Sequence, residues 1–439
     1  MLQMSNKISV QPLAGFMELL PGSQIAFNYM LKDIQNTYEL FGYRPIDTPI
    51  IERADVLLAK GGGETEKQIY QFEKGKTSLA LRFDLTVPLA RYVAKNQDVL
   101  VFPFKRYAIG KVFRGEKPQA GRFREFYQCD IDVIGRESLD LSYDAEIPAI
   151  ISETFKKLGF QKFTISVNNR KILNGFFEEL SLSKNASEIL RILDKVEKAS
   201  KEEIIESFKK EGIEKEQIEK ILTLTNIDPS NPEKLFKELR KINKGNKIFA
   251  EGIDELEFVT KRMEGLGVNR ENFKIDLTIA RGLDYYTGTV YETKLDEYPD
   301  IGSVCSGGRY DDLASYYTNN RYPGVGISIG LTRLFDQLER RNLIKDQSET
   351  PTKVLILTMT EEPSISLELI RYLRLNNIPS EIFTDFRKGL KYASSLKIPF
   401  VVFIGEEEVQ GNYYTLKNMQ EGKQSTYKEK SDLLKILKE

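Results

Sequence analysis

The chain has 439 residues, more than one ordinary core takes up, so two or three domains of roughly 100–200 residues each are expected. Lys and Arg number 64 against 65 Asp and Glu, a net charge of −1 that argues neither for nor against a nucleic-acid partner. Histidine is absent, which excludes every histidine general base, triad or metal ligand; the two cysteines, Cys129 and Cys305, offer neither a disulfide framework nor zinc-ligand spacing.

Taken in order, the opening MLQMSNKISVQPLAG lacks the apolar centre of a signal peptide, and no apolar run approaches the ~18–20 residues that cross a bilayer. A soluble, cytoplasmic protein is expected. Ser23 is a candidate N-cap for a helix to about Phe41, with Ile25, Met30, Leu31, Ile34, Tyr38 and Phe41 on one stripe. The next segment, GYRPIDTPIIE, carries Pro45 and Pro49 and suits an exposed edge. Strand-like text follows from Thr77 to Gly135: TSLALRFDLTV, then FPFKRYAIGKVFRGE and GRFREFYQCDIDVIG, the last two forming an antiparallel hairpin. Lys/Glu-rich helical text with solvated faces occupies Lys171 to about Asn272. Strands return at FKIDLTIARGLDYYTGTVYETKL and at GVGISIG, which runs into the helix LTRLFDQLERR. After a polar linker, KVLILTM, a helix near Ile365 to Leu375 and FVVFIG read as a separate α/β domain.

Gly75-Lys76-Thr77 has the look of a P-loop end, but the required earlier glycine is replaced by Tyr70, so a hairpin turn is expected there; Gly61 to Gly63 read as a loop. The arginines in strand text carry more information, because a guanidinium is always charged and grips phosphate oxygens in pairs. Arg114 lies at the mouth of the hairpin, Arg281 opens RGLDYYTG, and Arg333 sits where a strand becomes a helix; together they could clamp a triphosphate, and singly each also fits a surface ion pair. Alternation places Arg124, Phe126, Gln128, Asp130 and Asp132 on one face, with Gln128 and Asp132 about 13 Å apart at ~3.4 Å per residue. Side chains there could hold the two ends of an amino-acid-sized ligand or form a polar outer face. Asp84 and Thr86, read within an apolar strand, add a carboxylate suited to an ammonium group, and Tyr285, Tyr286 and GGRYDD add phenols.

The proline-bearing edge segment, FRGE followed by GRFREFYQCDIDVIG, and GISIGLTRL resemble the three signature motifs of class II aminoacyl-tRNA synthetases. Within that class, RGLDYYTGTVYE and SGGRYDDL resemble the histidine-specific motifs of the histidyl-tRNA synthetase family, and the likeness spans nearly the whole chain. The resemblance implies an α+β fold: an antiparallel-sheet catalytic core in two parts, 1–170 and 273–345, a helical insertion at 171–272, and an α/β anticodon-binding domain at 352–439. It also implies ATP-dependent activation of L-histidine, with Mg2+ accompanying ATP, transfer to tRNA-His, and a homodimer formed through the edge segment. Carried residue by residue, Asp84, Thr86 and Gln128 match positions around the amino acid's ammonium group, and Asp132 and Tyr286, with Tyr285 adjoining, match those reading the imidazole. Arg114 matches the arginine on the α-phosphate, Arg333 the one near the γ-phosphate, and Arg281 the family's arginine opposite the α-phosphate. Glu116 matches an acid near adenine, and Lys117 and Gln119 match positions facing the tRNA acceptor end. Thr332 departs from the glutamate of many members. The rival reading is a catalytically silent synthetase paralogue regulating histidine biosynthesis, such as the subunit that activates ATP phosphoribosyltransferase; Arg281 and the C-terminal domain, which such paralogues tend to lose, are both present.

Overall fold

The computed structural model describes residues 8–59, 64–118, 121–193, 200–279, 286–311, 314–344, 349–360 and 364–438. It divides into two compact units, Met1–Met17 with Leu31–Gln337, and Glu18–Met30 with Leu338–Glu439. No helix among the described residues is long and apolar enough to cross a membrane.

The chain opens with α1 (Pro21–Leu40), whose buried stripe includes Phe27, Ile34 and Tyr38. Proline at its head suits a turn whose N–H groups have no intrahelical acceptor. Ser23 therefore falls inside the helix rather than capping it, and its hydroxyl donates to Glu339. Short strands β1 (Arg44–Pro45) and β2 (Ile51–Arg53) follow, then α2 (Ala54–Leu58), α3 (Glu64–Gln68), β3 (Gln71–Lys74) and β4 (Thr77–Leu81). β3 and β4 form the hairpin expected around Gly75, whose φ of +64° is the left-handed conformation a tight turn asks of glycine.

The strand expected to run on to Val87 instead stops at Leu81, and α4 (Thr86–Asn96) begins. Asp84 causes the switch: its Oδ1 accepts from the backbone N–H of Thr86 at 3.1 Å and of Val87 at 2.9 Å, satisfying two donors of the first turn. Pro88 follows where a missing N–H costs nothing. Asp84 and Thr86 thus belong to a loop and a helix start.

β5 (Phe104–Phe113) and β6 (Glu125–Ile134) are the expected hairpin, ten pairs long. After α5 (Ser142–Lys157) and β7 (Phe163–Asn169) comes a run of helices: α6 (Arg170–Glu179), α7 (Ala186–Leu193), α8 (Lys201–Lys210), α9 (Lys215–Thr225), α10 (Pro232–Ile242) and α11 (Lys247–Gly265). Four of these starts are capped by side chains of Asn169, Ser200, Asn231 and Asn246. The chain then supplies β8 (Phe273–Ile275), β9 (Thr289–Leu295), β10 (Ser303–Tyr310), β11 (Gly324–Gly330) and α12 (Leu331–Arg340). Eight strands make one sheet in the order β1-β5-β6-β11-β10-β9-β7-β8, antiparallel except for the parallel pairs at its two edges, β1 with β5 and β7 with β8. Strands 200 residues apart are thereby neighbours: β6 pairs with β11 so that Asp132 faces Gly326 and Gln128 faces Gly330.

The second unit carries β12 (Val354–Thr358), α13 (Ser364–Leu375), β13 (Ser380–Phe383), α14 (Phe386–Ser395), β14 (Phe400–Ile404), α15 (Glu406–Gly411), β15 (Tyr414–Asn418), β16 (Gln424–Tyr427) and α16 (Lys430–Lys438). Its sheet order is β13-β12-β14-β15-β16, parallel in the first three strands. Val354 to Leu357 and Val401 to Ile404 are buried, as runs without alternation require when helices cover both faces.

Candidate active site

A cavity of about 520 Å3 opens on the eight-stranded sheet. Eight of the residues matched to substrate positions line it: Asp84, Thr86, Arg114, Glu116, Gln128, Asp132, Tyr286 and Arg333. Lys117 is exposed and does not line it. Arg281, Tyr285 and Gln119 lie outside the described residues, as do Gly61 to Gly63. Arg124, expected on the same face as Gln128, does not line the cavity; its Nε donates to Glu116 O at 3.0 Å.

The two arginines are set by different devices. Arg114 follows β5, and its guanidinium lies 4.3 Å from the Phe83 ring centroid and 5.0 Å from that of Phe126. Two rings and the Phe83 carbonyl, 3.3 Å from Nε, keep that flat cation in one plane. Arg333 stands in the first turn of α12, and its Nη2 donates to Ile301 O. Preceding it, Thr332 is buried and its hydroxyl accepts from Tyr127 N–H at 2.8 Å, tying the helix start to β6. That contact is the local consequence of having threonine at this position.

Acids crowd the sheet side of the pocket. Asp84, Asp130 and Asp132 are all buried. Burial is the largest cause raising each above the ordinary aspartate range, and Asp130 is pushed up to about 7 and Asp132 to about 6. The Arg106 guanidinium opposes the rise for all three, joined by Arg114 at Asp84. Gln128 Nε2 donates to Ser328 Oγ at 2.9 Å, while Gln128 Oε1 and Asp130 Oδ1 are buried with no hydrogen-bond partner among the described residues. Unpaired buried oxygens cost free energy unless a bound ligand satisfies them.

Glycines give this wall its depth. A Cβ on Gly326 would come 2.3 Å from both Asp132 Oδ1 and Ile131 O, and one on Gly308 would come 2.6 Å from Thr289 O and 3.0 Å from the Tyr286 ring. Several lining groups escaped the sequence reading: Glu292, Ser303, Ser306 and Ser328. Alternation along β9 and β10 would have put Glu292 and Ser306 on defined faces, but only the pairing of Ser306 with Glu292 turns them to one place. The arrangement as a whole offers fixed cations for phosphate charge, buried acceptors for an ammonium or N–H donor, and no histidine for proton transfer.

The chain is similar to known proteins over most of its length. A family model described as histidyl-tRNA synthetase matches residues 15–334, and one described as anticodon binding domain matches 353–439. The Histidine–tRNA ligase of Clostridium tetani is 52% identical over 430 residues, covering 97% of each chain. That of Finegoldia magna is 44% identical, covering 94% of this chain and 97% of its own. The crystal structure of a histidyl-tRNA synthetase from a Nostoc species superposes with a TM-score of 0.91 at 39% identity, covering 98% and 99% of the two chains. A Bacillus halodurans structure titled as an ATP phosphoribosyltransferase regulatory subunit/histidyl-tRNA synthetase has a TM-score of 0.75 at 20% identity and covers 90% and 98%; it shares the fold.

Proposed function

The chain belongs to the histidyl-tRNA synthetase family, and from that premise we propose that this pocket activates L-histidine with ATP and passes the histidyl group to tRNA-His. The protein is an aminoacyl-tRNA ligase. In the first step a histidine carboxylate oxygen attacks the α-phosphorus of ATP, the bond to the bridging oxygen breaks, and pyrophosphate leaves. In the second, the terminal adenosine hydroxyl of the tRNA attacks the adenylate carbonyl and AMP leaves. The observation that carries the reading is the convergence of Arg114 and Arg333 with Asp84, Gln128 and Asp132 on one cavity.

The roles follow from charge. In-line transfer at phosphorus needs positioning and neutralisation more than a protein base. Arg114, held flat between two rings, takes the α-phosphate, Arg333 the γ-phosphate, and Arg281 the α-phosphate's other side. Asp84, Thr86 and Gln128 hold the ammonium end, while Asp132, Tyr286 and Tyr285 read the ring. Glu116 contacts adenine, and Lys117 and Gln119 meet the acceptor end. For the transfer step a phosphate oxygen of the adenylate takes the tRNA hydroxyl proton. Mg2+ accompanying ATP suits the hard oxygens of Glu292, Ser303 and Ser306 on the cavity wall, and it supplies further neutralisation of phosphate charge. The C-terminal unit engages the anticodon, and the protein works in the cytoplasm.

A homodimer is part of the same proposal. β1 is an outermost strand of only two residues, and exposed Leu40, Ile50, Ile51, Val99 and Val101 supply apolar surface of the kind subunits bury.

Histidine-dependent exchange of pyrophosphate into ATP tests the central claim. The purified protein should catalyse exchange with histidine and not with other amino acids, and should charge tRNA-His. Failure of exchange in a folded preparation that still binds ATP would favour the silent regulatory paralogue.

A further inference from the structure

Arg106 on β5 has no exposed surface at all. It sits opposite Asp132 in the β5–β6 register, and its Nη2 forms an ion pair with Asp132 Oδ2. The same nitrogen is 3.5 Å from Leu85 O, ahead of α4. Its Nε and Nη1 are buried with no hydrogen-bond partner among the described residues. From β10, the Tyr310 hydroxyl donates to Asp132 Oδ1 at 2.8 Å. Both oxygens of Asp132 are therefore held, one by a cation and one by a phenol, while the residue lines the cavity.

Core stability does not account for this. A buried ion pair returns little more than its desolvation costs, and apolar residues of like volume often do as well or better. A guanidinium with two unpaired donors is worse placed still. What the pair changes is the state of the carboxylate. Asp132 is faced by Arg106 from β5, Tyr310 from β10, Tyr43 ahead of β1, Asp84 ahead of α4 and Asp130 on its own strand, with Tyr286 beside Tyr310. Arg106 supplies the cation that Asp132 contacts directly. Without it, a carboxyl buried among two other aspartates would keep its proton near neutral pH.

We propose that Arg106 and Tyr310 are positioning residues that keep Asp132 an ionised acceptor aimed into the cavity, and so make the site selective for a ligand ring that donates an N–H. This rests on the reading of Asp132 as the imidazole contact. An ionised carboxylate has about four acceptor sites, so with Arg106 and Tyr310 in place a ring without an N–H would still leave acceptor capacity of Asp132 unused in a buried site, the condition under which polar sites reject analogues most strongly.

Histidine titrates near the relevant pH, so the test uses 1,2,4-triazolylalanine, whose ring keeps an N–H and takes up no proton near neutrality. Pyrophosphate exchange is measured against pH for the wild type and for Arg106→Gln, Arg106→Lys and Tyr310→Phe. Arg106→Gln should move the acid limb of kcat/KM to higher pH by about one to three units, each unit being about tenfold in the ionised fraction at low pH. At neutral pH its KM for the amino acid should rise while KM for ATP holds. Arg106→Lys, which keeps the charge, should restore the limb, and Tyr310→Phe should shift it the same way by less. Should Arg106→Gln not fold, the pair Tyr310→Phe and Arg106→Lys decides: a raised limb in the former and a retained one in the latter support the proposal. Limbs unmoved in every folded variant of an active wild type, or equal losses for both substrates without a pH shift, overturn it and leave the functional reading standing. A wild type without histidine-dependent exchange removes both.

Discussion

Asp130 is a buried carboxyl of the pocket, raised to about 7 from its ordinary 3.8. Burial raises its carboxyl and Asp132 and Asp84 raise it further, while among the described residues Arg106 and the Ser328 hydroxyl lower it. With a folded value of about 7 against an ordinary 3.8, the folded chain binds more protons at this site than the unfolded chain through that interval, so stability falls as pH rises from about 4 through 7. Asp130→Asn removes the term. The variant should be the more stable above pH ~8, by up to about 4 kcal/mol, with the difference closing toward pH ~4, read as paired thermal melts without ligand. A difference independent of pH would mean that Asp130 is not the group responsible. Alternation was enough to set Gln128, Asp130 and Asp132 on one face. It carried no sign of Arg106 as the counter-charge or of Tyr310, which lies 178 positions from Asp132 in sequence, because such partners are chosen by strand order.

Among the elements, β11 is shaped by what it must avoid. Gly326 faces Asp132 across the β6–β11 ladder, and any side chain there would strike the carboxylate and the Ile131 carbonyl. Backbone cannot yield cheaply inside a paired sheet, so Gly326→Ala should displace Asp132 or part the strands. KM for histidine in the exchange assay should rise about tenfold to hundredfold, with KM for ATP changed much less. Equal effects on both substrates would place the disturbance outside the amino-acid end. The hairpin β5–β6, the turn at Gly75 and the β11-to-α12 transition were legible because period-two alternation and turn residues are local signals. The strand expected through Asp84 was misread for an equally local reason: an aspartate carboxylate that gathers the N–H groups of Thr86 and Val87 favours a helix start, and apolar content alone cannot reveal it.

For the whole molecule, the catalytic-core unit and the C-terminal unit each hold their own sheet and core. The proposed homodimer belongs to this scale. Light scattering after gel filtration at micromolar concentration should give about twice the chain mass of 50.4 kDa, and a single-chain mass would contradict it.

Residue order alone determined the element types of most segments, the exclusion of histidine chemistry, and the motifs by which the family is recognised, since each depends on neighbours within a few positions or on composition. Only the tertiary structure decided which acids share one buried space, which cation opposes their charge, and that Arg333 reaches the cavity holding Gln128. Those facts depend on an eight-stranded order that sets β11 between β6 and β10, and burial and Coulomb interactions act across that order, not along the chain.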